Sequence, residues 1–388
     1  MRRWPPSVPR DARIMRMNTR TTWDTGKDGC LAVIGAGAWG TTLAAVQAAN
    51  FHRVNLFTVE TDACEEITRF HTNERYTDGF QIPVNVIATT SLARALEGAS
   101  WSIVAVPSHA ARDVAARLRG VLAPTTRVVL ATKGLEKDTS LLSLEVFRWE
   151  FGVAGKRDPH EPLVLTGPNL SGDIRRGLPS VAVLAGVDAG AVRRGVDRLT
   201  HPLLSLAPYH DPLGAQAAGA LKNVYAVGCG MSYGLEWGDN VAAAIIWKGM
   251  EETARFAGAI GGDPAVAMTP AGIGDFVATC TSRSSRNHDM GRRMAGDISG
   301  GDGVRGVQEG AGTAREALNR ARSLGLKVQL LEATWSVMAG VRPPEAILQA
   351  SCCTTPGGVI MEDTRMSRRA ETWATARGLR CGLEVAVE

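Results

Sequence analysis

Val33-Ile34-Gly35-Ala36-Gly37-Ala38-Trp39-Gly40 is the stretch that decides the fold. It ends a short apolar run, Leu31–Ile34, and opens a small-residue helical pattern that reaches about Asn50. The three glycines meet three separate needs. Gly35 makes the tight turn, Gly37 lets the backbone approach a pyrophosphate, and Gly40 lets helix and strand pack closely, while the free N–H groups of the helix N-terminus face the phosphates. A lone GxGxxG says little, but strand, glycine turn and helix in this order predict the first unit of a dinucleotide-binding domain.

Outward from that unit the same alternation continues. Apolar, β-branched runs stand at Arg53–Thr58, Val84–Ala88, Trp101–Val106, Arg127–Ala131, Leu163–Thr166 and Val181–Ala185, with amphipathic stretches such as Ser91–Gly98 and Ser108–Arg119 between the earlier ones. This is the pattern of a parallel sheet with crossover helices, a Rossmann-type α/β domain over 30–210. After Asp211 the strand signals stop. Asp211–Gly230 reads as a long helix, and Asp239 can cap another that reaches Ile260. Asp263-Pro264 is a cap and first-turn pair, and Thr313-Ala-Arg-Glu316 reads as a capping box with Gly325 as its stop. An all-α C-terminal domain is therefore expected over 211–350, with 351–388 as a tail. Residues 1–29, with six arginines before Thr21, read as a disordered tail or an Arg-rich targeting segment; Asp11, Asp24 and Asp28 weigh against the second.

Composition excludes several classes. Net charge is only +4 on 388 residues, with dispersed basic side chains, so no nucleic-acid partner is expected. No apolar run approaches the roughly 18 residues of a membrane span. The seven cysteines form no CxxC pair and no His-spaced cluster, which reads as reduced thiols in a cytosol-like compartment and no metal site.

Candidate chemistry gathers at strand ends. Glu60 lies 20 residues past Gly40, where an acid accepts from a ribose hydroxyl and repels a 2′-phosphate; with no arginine expected beside it, NAD is favoured and NADP stays possible. Lys133, in Ala131-Thr-Lys-Gly-Leu-Glu136, follows a buried run and can meet a phosphate or carbonyl oxygen, or simply be solvated. Thr166-Gly167-Pro168-Asn169-Leu170 is a polar turn at another strand end. Lys222 sits among small and apolar residues, where desolvation lowers an ammonium pKa towards the range useful for proton transfer. Asp275 follows a glycine turn, and Arg286-Asn287, 11 and 12 residues on, form a pair able to clamp a phosphate. Together these predict a small anionic-substrate site with one proton donor.

In order and spacing, Val33–Thr41, Val-Pro-Ser-His (106–109), Ala131–Glu136, Leu-Lys-Asn-Val (221–224), Gly274-Asp275 with Thr279-Cys280, Ser285-Arg286-Asn287 and Val-Gln-Glu-Gly (307–310) resemble the bacterial type of NAD(P)-dependent glycerol-3-phosphate dehydrogenase. The resemblance implies interconversion of dihydroxyacetone phosphate and sn-glycerol 3-phosphate, with Lys222 moving the proton. It implies substrate contacts from Lys133, Gly167, Asn169, Lys222, Asn223, Asp275, Thr279, Ser285, Arg286 and Asn287. Ala38, Trp39, Lys133, Ser171, Arg286, Val307 and Glu309 would lie along the cofactor, beside Gly35, Gly37, Gly40 and Glu60. A cytoplasmic homodimer supplying glycerophospholipid synthesis is implied too. Departures from the family pattern are Asp173, where Glu is usual, Trp247-Lys248, where Thr-Arg is usual, and the absence of the arginine commonly found near Val59, which bears on cofactor choice. The segment Ser299–Gly306 reads as a lid or an inert loop. A related reductase of a small keto or hydroxy acid and a catalytically decayed dinucleotide sensor are the alternatives.

Overall fold

The computed structural model describes residues 28–153, 160–296 and 309–352. Eight strands form one sheet: β1 (Cys30–Ile34), β2 (Arg53–Phe57), β3 (Val86–Thr89), β4 (Ala99–Val104), β5 (Arg127–Leu130), β6 (Leu163–Thr166), β7 (Ser180–Ala185) and β8 (Leu204–Tyr209). Their spatial order is β3-β2-β1-β4-β5-β6-β7-β8, and every pairing is parallel except that of β6 with β7. The order reverses between β1 and β4, so the crevice beyond their carboxyl ends is where a ligand binds a sheet of this kind. Alternate residues serve the two faces: Leu31 and Val33 pack into one buried cluster, Ala32 and Ile34 into the other. A sheet covered on both faces needs such apolar runs.

Two expected strands are displaced: Val86–Thr89 starts two residues and ends one residue later than Val84–Ala88, and Ala99–Val104 lies two residues before Trp101–Val106. β8 went unread from sequence because Pro208 interrupts it. At the sheet edge that proline costs no ladder bond on its open side.

Beyond β8 the chain is helical. Asp211 accepts from the N–H groups of Leu213 and Gly214, both at 3.0 Å, and Pro212 takes the first position of the helix Pro212–Gly234. This helix is buried along most of its length. Around it lie the helices Asp239–Ala259, Asp275–Thr281, Arg286–Gly296, Glu309–Ser323, Gln329–Met338 and Glu345–Cys352. Glu252, fully buried, accepts from the N–H groups of Leu330 (2.9 Å) and Leu331 (3.0 Å) and from the Tyr225 hydroxyl (3.0 Å). One carboxylate therefore caps one helix and pins another.

Asp263 caps its turn as expected, accepting from Ala265 N–H at 2.9 Å. Asp239 is the first helical residue and Gly238, at φ +85°, is the cap. The Thr313–Glu316 capping box is wrong: the helix already runs from Glu309, Thr313 is buried within it, and Glu316 instead accepts from the Ser140 hydroxyl at 2.7 Å. A capping-box spacing inside a longer helix was put to tertiary use.

Two helices cross at backbone distance. A β-carbon on Gly291 would lie 2.0 Å from the Val227 carbonyl oxygen, and one on Gly230 equally close to that of His288. This crossing brings the start of Arg286–Gly296 against the helix that carries Lys222. Backbone atoms cannot yield as a side chain can, so Gly291→Ala is expected to lose about 3 kcal/mol of stability, with a thermal midpoint lowered by about 5 °C or more. Differential scanning calorimetry checks this; an unchanged midpoint would contradict the packing.

Candidate active site

The cradle for a dinucleotide is set by local geometry. Gly35 turns at φ +110°, and a β-carbon there would lie 2.8 Å from the Ala105 carbonyl oxygen. Gly40 packs against the Gly35 carbonyl with no room for any side chain. Gly37 differs: a β-carbon on it would meet nothing within 4 Å, so the space over this residue is open. The helix Ala38–Gln47 that follows has no side-chain cap, which leaves its first N–H groups free for an anion. The Trp39 indole N–H is buried without a partner. Open space, free donors and a helix dipole fit a pyrophosphate.

Glu60, at the end of β2, is not alone. Arg75 reaches its Oε1 at 2.9 Å and Asp62 at 2.8 Å, and the Tyr76 hydroxyl donates to the same Glu60 oxygen at 2.9 Å. The expectation that no arginine stands beside Glu60 is thereby corrected. Fifteen residues separate the pair in sequence, and a short helical turn, Glu74–Thr77, folds Arg75 back. Sequence periodicity carries no signal for such a contact. Asn73, just before that turn and fully buried, donates to the Ala36 carbonyl (2.7 Å) and to Thr41 Oγ1 (3.0 Å), bracing the glycine turn.

The centre of the site is a buried aspartate between two lysines. Lys133 Nζ lies 2.8 Å from Asp275 Oδ2, and Lys222 Nζ donates to Asp275 Oδ1 and, at 2.8 Å, to the Thr279 hydroxyl. Thr279 in turn donates to the Asp275 backbone carbonyl at 2.6 Å. Lys133 also lies 3.4 Å from the Gly167 carbonyl, and Gly167 is glycine because β7 passes too close for a β-carbon. Two cations face one anion in a space where Asp275 is 1% and Lys222 7% exposed, so the cluster keeps one positive charge. Burial pulls the Lys222 pKa down, against the pull of Asp275 and helped by Lys133, to about 8.

Neighbouring groups extend the site. Asn287 donates to Asn223 Oδ1 at 3.0 Å, tying the start of Arg286–Gly296 to the residue next to Lys222. Ser285 is buried; its hydroxyl accepts from His288 N–H at 3.3 Å. Arg286 is exposed and makes no ion pair among the described residues. The Ser180 hydroxyl lies 2.8 Å from Asn169 Oδ1, and Asn169 Nδ2 is a buried donor without a partner. Ser171 opens the short helix Ser171–Arg175. Glu309 begins its helix, while Val307 and the segment Ser299–Gly306 lie outside the described residues. Of the unusual residues, Asp173 pairs locally with Arg176 at 2.6 Å and Lys248 with Glu251 at 2.8 Å. Sequence reading also missed the struts that hold the Lys133 loop: Arg112 bridges Glu136 and Glu150, and Arg320 forks onto Glu145 at 2.6 and 3.0 Å.

Comparison with known proteins decides the family. Residues 30–191 match the family model described as NAD-dependent glycerol-3-phosphate dehydrogenase N-terminus, and 211–349 match its C-terminus counterpart. The chain belongs to the NAD-dependent glycerol-3-phosphate dehydrogenase family. It is 35% identical over 323 residues, 82% of this chain and 93% of the relative, to glycerol-3-phosphate dehydrogenase [NAD(P)+] of Xanthomonas campestris pv. campestris (strain B100). The crystal structure of glycerol-3-phosphate dehydrogenase from Coxiella burnetii aligns at TM-score 0.74 and 28% identity, covering 83% of this chain and 98% of that one. A ketopantoate reductase from Ralstonia eutropha JMP134 shares the fold at TM-score 0.52 and 17% identity, covering 80% and 98%. The chain is thus an NAD(P)-dependent oxidoreductase of the glycerol-3-phosphate dehydrogenase family, and the keto-acid and sensor alternatives are not favoured.

The Lys222 pKa fixes a sign for the pH dependence. Below about 8 Lys222 is an ammonium group able to give a proton, and above it a neutral amine able to accept one. With Lys222 taken as the proton-transfer group, the reductive rate is expected to fall as pH rises through about 8, and the oxidative rate to rise. Lys133→Met removes a cation that lowers this pKa, so both limbs should move to higher pH. Stopped-flow pH–rate profiles in each direction check this.

Proposed function

We propose that Lys222 is the proton-transfer group in the interconversion of dihydroxyacetone phosphate and sn-glycerol 3-phosphate, and that Lys133, Asp275, Thr279, Asn223 and Asn287 order the reacting end of the substrate. The observation that carries this assignment is the cluster in which buried Asp275 pairs with buried Lys222 and part-buried Lys133. When bound, the nicotinamide supplies or takes the hydride at the substrate's C2. Lys222 gives its ammonium proton to the C2 oxygen during reduction and recovers one from solvent afterwards; in oxidation the neutral amine takes the hydroxyl proton. Lys133 adds positive charge where that oxygen becomes anionic. Asp275 and Thr279 fix the direction of the Lys222 N–H groups.

Arg286, exposed and without an ion-pair partner among the described residues, is free to take the substrate phosphate, with Ser285 and Asn287 beside it. Phosphate binding remote from C2 then supplies orientation at the reacting carbon. The family resemblance assigns Gly167 and Asn169 to the substrate as well, and Asn169 Nδ2 is a buried donor without a partner. Gly35, Gly37, Gly40, Ala38 and Trp39 would hold the pyrophosphate, Glu60 the adenosine ribose, and Ser171, Val307 and Glu309 further cofactor contacts. A homodimer, a cytoplasmic location and supply of glycerophospholipid synthesis belong to this proposal on the family resemblance. Among the described residues no helix is long and apolar enough to cross a membrane.

NADH oxidation driven by dihydroxyacetone phosphate tests the activity, and Arg286→Lys tests the clamp. A forked guanidinium–phosphate contact is typically worth about 1.5–3 kcal/mol, and lysine cannot reproduce the fork. KM for dihydroxyacetone phosphate should rise by roughly tenfold or more. Unphosphorylated dihydroxyacetone, which has nothing for the clamp to hold, should be affected far less. Equal losses on both substrates would assign Arg286 to the cofactor or the fold.

A further inference from the structure

We propose that Arg75 and Tyr76 are positioning residues that set the preference for NAD over NADP by fixing the Glu60 carboxylate. The proposal rests on Glu60 being the ribose contact. Two donors converge on one oxygen of that carboxylate: Arg75 Nη1 and the Tyr76 hydroxyl both lie 2.9 Å from Glu60 Oε1. The other oxygen, Oε2, has no hydrogen bond among the described residues, and the Glu60 side chain is 29% exposed. A carboxylate held by one oxygen has a fixed rotamer and presents its second oxygen as an acceptor, which is what a ribose diol needs.

The charge arrangement points the same way. Arg75 spends its second nitrogen on Asp62, so Glu60, Asp62 and Arg75 together leave one negative charge at the end of β2. A 2′-phosphate arriving there meets a net anion and a guanidinium already engaged by two carboxylates. Arg75 is thus no surrogate for a free phosphate-binding arginine. The segment is also tied to the pyrophosphate cradle, because the fully buried Asn73 holds Ala36 and Thr41. One short stretch, Asn73–Tyr76, sets the spacing between the glycine turn and the ribose acid.

Isothermal calorimetry of NADH and NADPH binding, in the absence of substrate, tests the proposal without relying on turnover. Glu60→Ala should lower the NADH-over-NADPH ratio of affinities. Tyr76→Phe should weaken NADH binding about fivefold while leaving NADPH binding within twofold, and Arg75→Met should also weaken NADH. Adding Tyr76→Phe to Glu60→Ala should change neither affinity further, since Tyr76 acts through Glu60. Equal losses of both cofactors in Tyr76→Phe, or additive losses in the double variant, would mean a merely structural role and overturn the proposal. Loss of NADPH binding alone in Arg75→Met would overturn it by making Arg75 a phosphate contact. No change of ratio in Glu60→Ala would instead show that Glu60 does not contact the ribose, a separate failure visible before the other variants are measured.

Discussion

The carboxylate of Asp275 is the anion that holds Lys133 and Lys222 side by side. Each of its oxygens takes one of them, Lys133 and Lys222, at a place where water scarcely reaches. Without that anion, the buried Lys222 ammonium would face the part-buried one of Lys133, and one of them would give up its proton or its position. Lys133 comes from the end of β5 and Lys222 from the central helix, so the same carboxylate joins the sheet to the helices. The remaining positive charge favours an oxygen on which negative charge develops.

Everything around this pair serves to place it. The Lys133 loop is fastened by Arg112 to Glu136 and by Ser140 to Glu316, and the helix below it by Arg320 to Glu145. Lys222 is fixed by a helix buried along most of its length, and Tyr225, one turn further, is held by Glu252. Close glycine contact between that helix and Arg286–Gly296 sets Asn287 on Asn223. At the far side, Gly35, Gly37 and Gly40 shape an open cradle at the carboxyl end of β1. Hydride transfer requires both ends to be rigid at once, because the reacting atoms must approach within a narrow range of distance.

Much of this was legible in the sequence because it follows local rules. Gly35 and Gly40 announce a turn and a close packing, and the alternation of apolar runs with amphipathic stretches announces a sheet with crossover helices. Lys222 announces its own desolvation by standing in a run of alanine, glycine and leucine. What was not legible depends on contacts between distant residues. Arg75 reaches Glu60 only because a four-residue helix intervenes, and no periodicity marks it. β8 is masked by Pro208, which an edge position tolerates. Thr313 and Glu316 have capping-box spacing, but the helix begins earlier and Glu316 is spent on Ser140. Asp275 after a glycine turn could have been any solvated loop acid; its partners are 142 and 53 residues away.

The most direct measurement is the titration of Lys222 by carbon-detected NMR of the labelled side chain, in the native protein and in Asp275→Asn. Asparagine keeps the size of the side chain and removes the charge that favours the ammonium form. The native lysine should titrate near 8, and the variant should titrate distinctly lower, with folding unchanged by circular dichroism. A midpoint in the ordinary lysine range in the native protein, or one that Asp275→Asn leaves in place, would contradict a proton donor tuned by burial and held by this aspartate.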